Sequence, residues 1–67
     1  MPPTVRDMIK IVEADGWYQV SQRGSHRQFK HPVKKGRVTI PGKLSRELYP
    51  ELARSVLRQA GLIGGEQ

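Results

Sequence analysis

Trp17-Tyr18-Gln19-Val20-Ser21-Gln22, then Arg23-Gly24-Ser25, then His26-Arg27-Gln28-Phe29-Lys30-His31 ahead of Pro32: from this stretch the architecture follows. Two short runs of strand-forming character on either side of a glycine-containing turn read as an antiparallel hairpin. A third run, Arg37 to Ile40, follows Pro32-Val33-Lys34-Lys35-Gly36, so the three together predict a three-stranded antiparallel meander. Period-two alternation then sorts the side chains. If Phe29 faces a core, Arg27 and His31 lie on its side, and His26, Gln28 and Lys30 lie on the other. In the third run Val38 and Ile40 turn inward, which sends Arg37 and Thr39 outward. The two apolar sets share a face when Phe29 stands opposite Val38 and Lys30 opposite Arg37, because a one-residue slip would expose one of them. The open face then carries His26, Gln28, Lys30, Arg37 and Thr39.

The flanks read as helices. Thr4 with Asp7 three positions later has the form of a capping box, and Val5, Met8, Ile9 and Val12 recur with helical spacing, predicting a first helix over Thr4 to Asp15. Gly16 supplies its stop and Trp17 folds back on Val12 as core. After Pro41-Gly42, Lys43 to Tyr49 reads as an irregular connection. Pro50 and Glu51 suit the first turn of a second helix whose apolar stripe is Leu52, Val56, Leu57 and Ala60. Gly61-Leu62 repeats the first stop, with Leu62 meeting Leu57. The expected fold is α+β, in the order α-β-β-β-α, with both helices on one face of the sheet. Residues 1–67 form one domain in this reading, with a structured part over about 4–62 and a flexible 63–67.

Twelve Lys and Arg stand against six Asp and Glu, a net charge of +6. The acids are Asp7, Glu13, Asp15, Glu47, Glu51 and Glu66, so Gly16 to Arg46 carries none. That segment holds Arg23, Arg27, Lys30, Lys34, Lys35, Arg37, Lys43 and Arg46. One sign of charge over the middle of a chain draws polyanions, of which nucleic acid is the commonest. The plainer alternative is a basic solvated surface without a ligand. An anionic membrane fits less well, because the basic run has no amphipathic helical period and no lipid-anchoring signal. At 67 residues with no cysteine, the chain has neither disulfides nor a thiolate zinc site and is held by packing. Met1-Pro2-Pro3-Thr4 lacks a basic-then-apolar leader, and no apolar run reaches membrane-spanning length, so a cytoplasmic setting is expected.

His26 is the candidate general acid or base, since an imidazole with an unperturbed pKa of about 6.5 exchanges protons near neutrality. RNA brings its own nucleophile in the 2′-hydroxyl, so such a site needs no metal or cofactor in principle. Lys30 and Arg37 would stabilise the phosphate, while Arg23, Arg27, Lys34 and Lys35 would hold the strand and Gln28 would hydrogen-bond it. The competing reading of His26 is a surface histidine that bonds the turn or contacts phosphate. His31 lies an odd number of residues away and precedes Pro32, which favours a structural or strand-ending role over an acid–base pair. Ser25 is a weak nucleophile candidate, with no acidic group near to orient His26. Two histidines without cysteine or a central carboxylate make a poor metal set. Walker and dinucleotide fingerprints are missing from the sequence.

Gly24-Ser25-His26-Arg27-Gln28-Phe29-Lys30-His31-Pro32, then Gly36-Arg37-Val38-Thr39-Ile40-Pro41 and Leu52-Ala53-Arg54-Ser55-Val56-Leu57-Arg58-Gln59-Ala60-Gly61-Leu62, resemble the HicA toxin family. Val5-Arg6-Asp7-Met8-Ile9-Lys10 and Asp15-Gly16-Trp17 extend the resemblance to roughly residues 4–62. Pro50-Glu51 departs from it, standing where the family often has a Gly-Thr pair. The resemblance implies a fold similar to double-stranded RNA-binding domains, and a ribosome-independent mRNA interferase of a type II toxin–antitoxin system with His26 at the active-site position. It also implies a HicB-type antitoxin that masks the site and carries the complex to operator DNA. A non-catalytic RNA-binding module of similar fold is the alternative, because fold does not fix function.

Overall fold

The computed structural model describes residues 2–63. The elements run α1 (Val5–Ala14), β1 (Tyr18–Arg23), β2 (His26–Lys30), β3 (Val38–Ile40) and α2 (Pro50–Gln59). The strands form one antiparallel sheet in the order β1-β2-β3. The expected order of elements and the α+β class are therefore observed. The fraying expected of Gly64-Gly65-Glu66-Gln67 lies outside the described residues.

Each end of α1 has a local chemical cause. The Thr4 hydroxyl accepts from the Asp7 N–H at 3.2 Å, and the Asp7 carboxylate accepts from the Thr4 N–H at 2.9 Å, which completes the capping box. The remaining free N–H groups of that first turn, on Val5 and Arg6, donate to the carbonyls of Arg46 and Leu44 at 2.9 and 3.0 Å. At the other end Gly16 takes φ +107°, letting its N–H reach the Glu13 carbonyl and the Trp17 N–H reach the Val12 carbonyl. This is a Schellman stop. The same pair of bonds closes α2, from Gly61 to Arg58 and from Leu62 to Leu57. At its start, α2 has Pro50 in the first turn and no side-chain cap on Tyr49.

Phe29, Val38 and Ile40 form the sheet's contribution to the core and are fully buried. Val5, Met8 and Val12 of α1, Ala53 and Val56 of α2 and the α2 C-cap Ala60 cover them, with Trp17 and Leu48 completing the core. Phe29 pairs with Val38, the register that the shared apolar face required. The contact line of α2 differs slightly from the predicted stripe: Ala53 is buried, whereas Leu52 and Leu57 flank the core half-buried.

The connection before α2 is a structural part rather than a simple linker. Leu48 is buried, its N–H donates to the Pro3 carbonyl at 2.8 Å, and Thr4 and Glu47 form an isolated antiparallel bridge. The loop thus seals the core and supplies the acceptors for the start of α1.

A second tie joins the far end of β2 to both helix ends. His31 accepts on Nδ1 from the N–H groups of Val33 and Lys34, both at 3.0 Å. Its proton is therefore on Nε2, which donates to the Asp15 carbonyl at 2.7 Å. The ring meets Trp17 edge-on at 5.2 Å and sits so near Gly16 that a Cβ there would come within 2.8 Å of Nε2. Lys34 Nζ donates to the Asp15 carboxylate at 2.5 Å and to the carbonyl of Ala60, the C-cap of α2, at 3.0 Å. Lys34, expected to help hold an RNA strand, is spent on these partners. Turn position alone could not reveal this, since both lie far away in sequence.

Two outcomes check this account. Leu48→Ala should cost about 2–5 kcal/mol in urea unfolding, the scale of a buried leucine; a loss near zero would mean that the connection does not seal the core. Lys34, the largest cause, together with the Trp17 indole N–H, holds the Asp15 carboxyl below its ordinary 3.8. A depressed carboxyl contributes stability that is present above pH 3.8 and lost as pH falls through the folded-state value. Stability measured from pH 6 to pH 2 should therefore fall less steeply below about pH 4 in Lys34→Met than in the parent.

Candidate nucleic-acid interface

The site begins with the hairpin. Arg23 pairs directly with His26, leaving only Gly24 and Ser25 in the turn. Gly24 has φ +55° and Ser25 does not share the positive value, the pattern of a II′ turn, whose twist matches that of the flanking strands. Strand β1 was expected to end at Gln22 with a three-residue connection. It instead runs one residue further and accommodates the difference with a bulge.

The bulge falls between Gln19 and Ser21. Tyr18 and Gln19 pair with Lys30 and Phe29, but Ser21, Gln22 and Arg23 then pair with Gln28, Arg27 and His26. Continued from Tyr18 without the bulge, regular pairing would set Val20 across from Gln28 and Gln22 across from His26. The inserted residue moves Ser21 and Arg23 to those positions, on the open face. Ser21 was missed in the sequence because nothing in local composition marks an inserted residue.

His26 opens β2 and is exposed, Gln28 lies two residues on and half-buried, and Lys30 is exposed at the far end beside Tyr18. Arg37 is exposed just before β3, and its Nη1 donates to Gln28 Oε1 at 2.6 Å. Lys35 is exposed in the β2–β3 loop. Ser21, Gln22, Arg23, His26 and Gln28 line a cleft of about 350 Å³ at the hairpin end of the sheet. Among the described residues no carboxylate pairs with Arg23, Lys30, Lys35 or Arg37; the ion pair formed there is that of Lys34 with Asp15. Four exposed cations thus keep their charge available to a polyanion.

Arg27 does not belong with them. It was expected to help hold the strand, but it faces the core side at 9% exposure. Its Nη1 donates to the Gly42 carbonyl at 2.7 Å and to the Ser25 carbonyl at 3.2 Å. Parity already put it on the side of Phe29, and burial then makes those carbonyls its partners. Arg27 braces the hairpin turn against the segment after β3.

No group of three or more His, Cys, Asp or Glu side chains among the described residues is placed to hold a metal ion. No helix among them is long and apolar enough to cross a membrane.

A family model described as "HicA toxin of bacterial toxin-antitoxin" matches residues 5–62. Among solved structures, a chain of a "Toxin-Antitoxin complex from Streptococcus pneumoniae" superposes with a TM-score of 0.73 at 32% identity, covering 91% of this chain and 100% of that one. Comparison with curated protein sequences gives no match.

The two arginines of the hairpin should separate cleanly by experiment. Arg23→Ala should reduce the slope of log affinity for RNA against log salt by about 1. Arg27→Met should leave that slope unchanged and cost about 1–3 kcal/mol of stability by orphaning the Gly42 carbonyl. Equal effects on the slope would contradict this division of the two side chains.

Proposed function

The chain belongs to the HicA toxin family of bacterial toxin–antitoxin systems, and on that premise we propose that it is an endoribonuclease acting on mRNA through His26. The observation that carries this reading is the placement of His26 on the open face, paired across the hairpin with Arg23 and sharing its cleft.

In this mechanism His26 takes the proton of a ribose 2′-hydroxyl. The 2′-oxygen attacks the adjacent phosphorus, the bond from phosphorus to the 5′-oxygen breaks, and the proton held on His26 passes through water in the exposed site to that oxygen. The products are a 2′,3′-cyclic phosphate and a 5′-hydroxyl. Arg23 lies nearest in register to the imidazole and takes the phosphate charge, a role the sequence reading had given to Lys30 and Arg37. Lys30, Lys35 and Arg37 hold the rest of the strand by its phosphates. No step calls on a cofactor.

The partner in this reading is a HicB-type antitoxin that covers the open face and so masks His26. The neighbouring toxin–antitoxin complex supports a protein partner of that kind. Operator DNA is reached only through that complex, and the setting is the cytoplasm.

Cleavage of a labelled mRNA in the presence of EDTA tests the proposal, using the purified protein and a folded His26→Ala variant that still binds the RNA. The variant should lose roughly 10²–10⁴-fold in rate, the usual contribution of a positioned acid or base. RNA bound but left intact by both proteins would instead identify a non-catalytic binding module.

A further inference from the structure

We propose that the end of the cleft formed by Gln28 and Ser21 reads the base next to the scissile phosphate, so that Gln28 sets the cleavage-site preference. The inference rests on the reading of the open face as an RNA-cutting site.

Three observations carry it. The cleft is divided in character: Arg23 beside His26 makes its charged end, and the Ser21–Gln28 pair makes a neutral, hydrogen-bonding end one step along the sheet. A phosphate belongs at the first end, and the flanking base then lies at the second. The volume, about 350 Å³, falls at the lower end of small-ligand sites, which span roughly 300–1,000 Å³.

The second observation concerns the orientation of the Gln28 amide. A guanidinium can only donate, so the 2.6 Å contact from Arg37 Nη1 fixes Oε1 on the side of Arg37. Among the described residues neither amide N–H has a protein partner, which leaves both for a ligand. Gln28 is thus a donor held in one orientation, and it selects an acceptor on a base edge. Arg37, expected as a phosphate contact, becomes in part the residue that positions this reader.

The third is the bulge. It puts a serine across from Gln28, where unbroken pairing would put Val20. A hydroxyl can both donate to and accept from a base, whereas a valine would leave this end of the cleft without polar partners on one wall. Bulges beside functional sites commonly re-aim side chains in this way.

The test is a cleavage-site map on RNA randomised around the cut, read for the parent, Gln28→Ala and Gln28→Glu. In parallel, binding of short single-stranded oligonucleotides differing at one central base is measured for His26→Ala and for His26→Ala combined with each Gln28 change. The parent should prefer certain bases at one position beside the cut. Gln28→Ala should flatten that preference by about tenfold while cutting more slowly, on the scale of a base-edge contact. Gln28→Glu keeps a partner for Arg37 but replaces donors by acceptors, so its preference should move to bases presenting an exocyclic amino group there. A merely structural role would slow all sites equally and leave the map unchanged, which would overturn the proposal. If the parent cuts nothing, the enzymatic reading fails by itself. The binding arm then decides: base preference lost on changing Gln28 supports the reader, and uniform binding overturns it.

Discussion

Phe29 must be dry, and most of the molecule follows from that. Burying such a side chain is worth about 1.5–3 kcal/mol, a large fraction of the stability that a domain of 67 residues can hold. Because strand residues alternate, placing Phe29 against α1 and α2 also commits Arg27 to the core side and His26, Gln28 and Lys30 to the solvent side. Val38 and Ile40 repeat the constraint on β3, so a slip of one residue would expose an apolar pair and bury a basic one. The polar and basic side chains of these strands gather on the open face, apart from Arg27, whose guanidinium finds carbonyl partners on the core side.

Six of the eight basic residues of the middle segment divide between ties within the fold and free charge. Arg27 and Lys34 turn their charge inward, onto backbone carbonyls and Asp15, and make long-range ties that a thin core needs. Arg23, Lys30, Lys35 and Arg37 stay exposed. Net charge alone would assign all six to a ligand. The distinction comes from satisfaction: a buried carbonyl without a donor costs about 1–3 kcal/mol, enough to hold a guanidinium that would otherwise be solvated. His31 follows the same logic. With both ring nitrogens engaged by backbone groups, it joins the strand end to α1 and leaves His26 as the imidazole open to solvent.

Much of this was legible in the sequence, and for identifiable reasons. Capping at Thr4 and Asp7, and the glycine stops at Gly16 and Gly61, are local chemistry among residues a few positions apart, so their signals survive without the fold. The faces of β2 and β3 were legible because buried Phe29, Val38 and Ile40 mark the phase of alternation. The segment from Lys43 to Tyr49 was less so. Leu48 is an isolated apolar residue in a stretch with no period, and its role depends on the start of α1 lying alongside.

Strand β1 shows where such reading ends. Every one of its residues is exposed, so no buried side chain marks its phase, and an inserted residue leaves no trace in the pattern. Element order, the helix ends, the inward set of β2 and β3 and the outward position of His26 were settled by the amino-acid sequence, because each rests on local geometry or on burial with a clear period. The bulge that puts Arg23 across from His26 and Ser21 across from Gln28 was settled only when the strands paired. So were the long-range ties of Arg27 to Gly42 and of Lys34 to Asp15 and Ala60, which span 15 to 26 residues and form only in the folded chain.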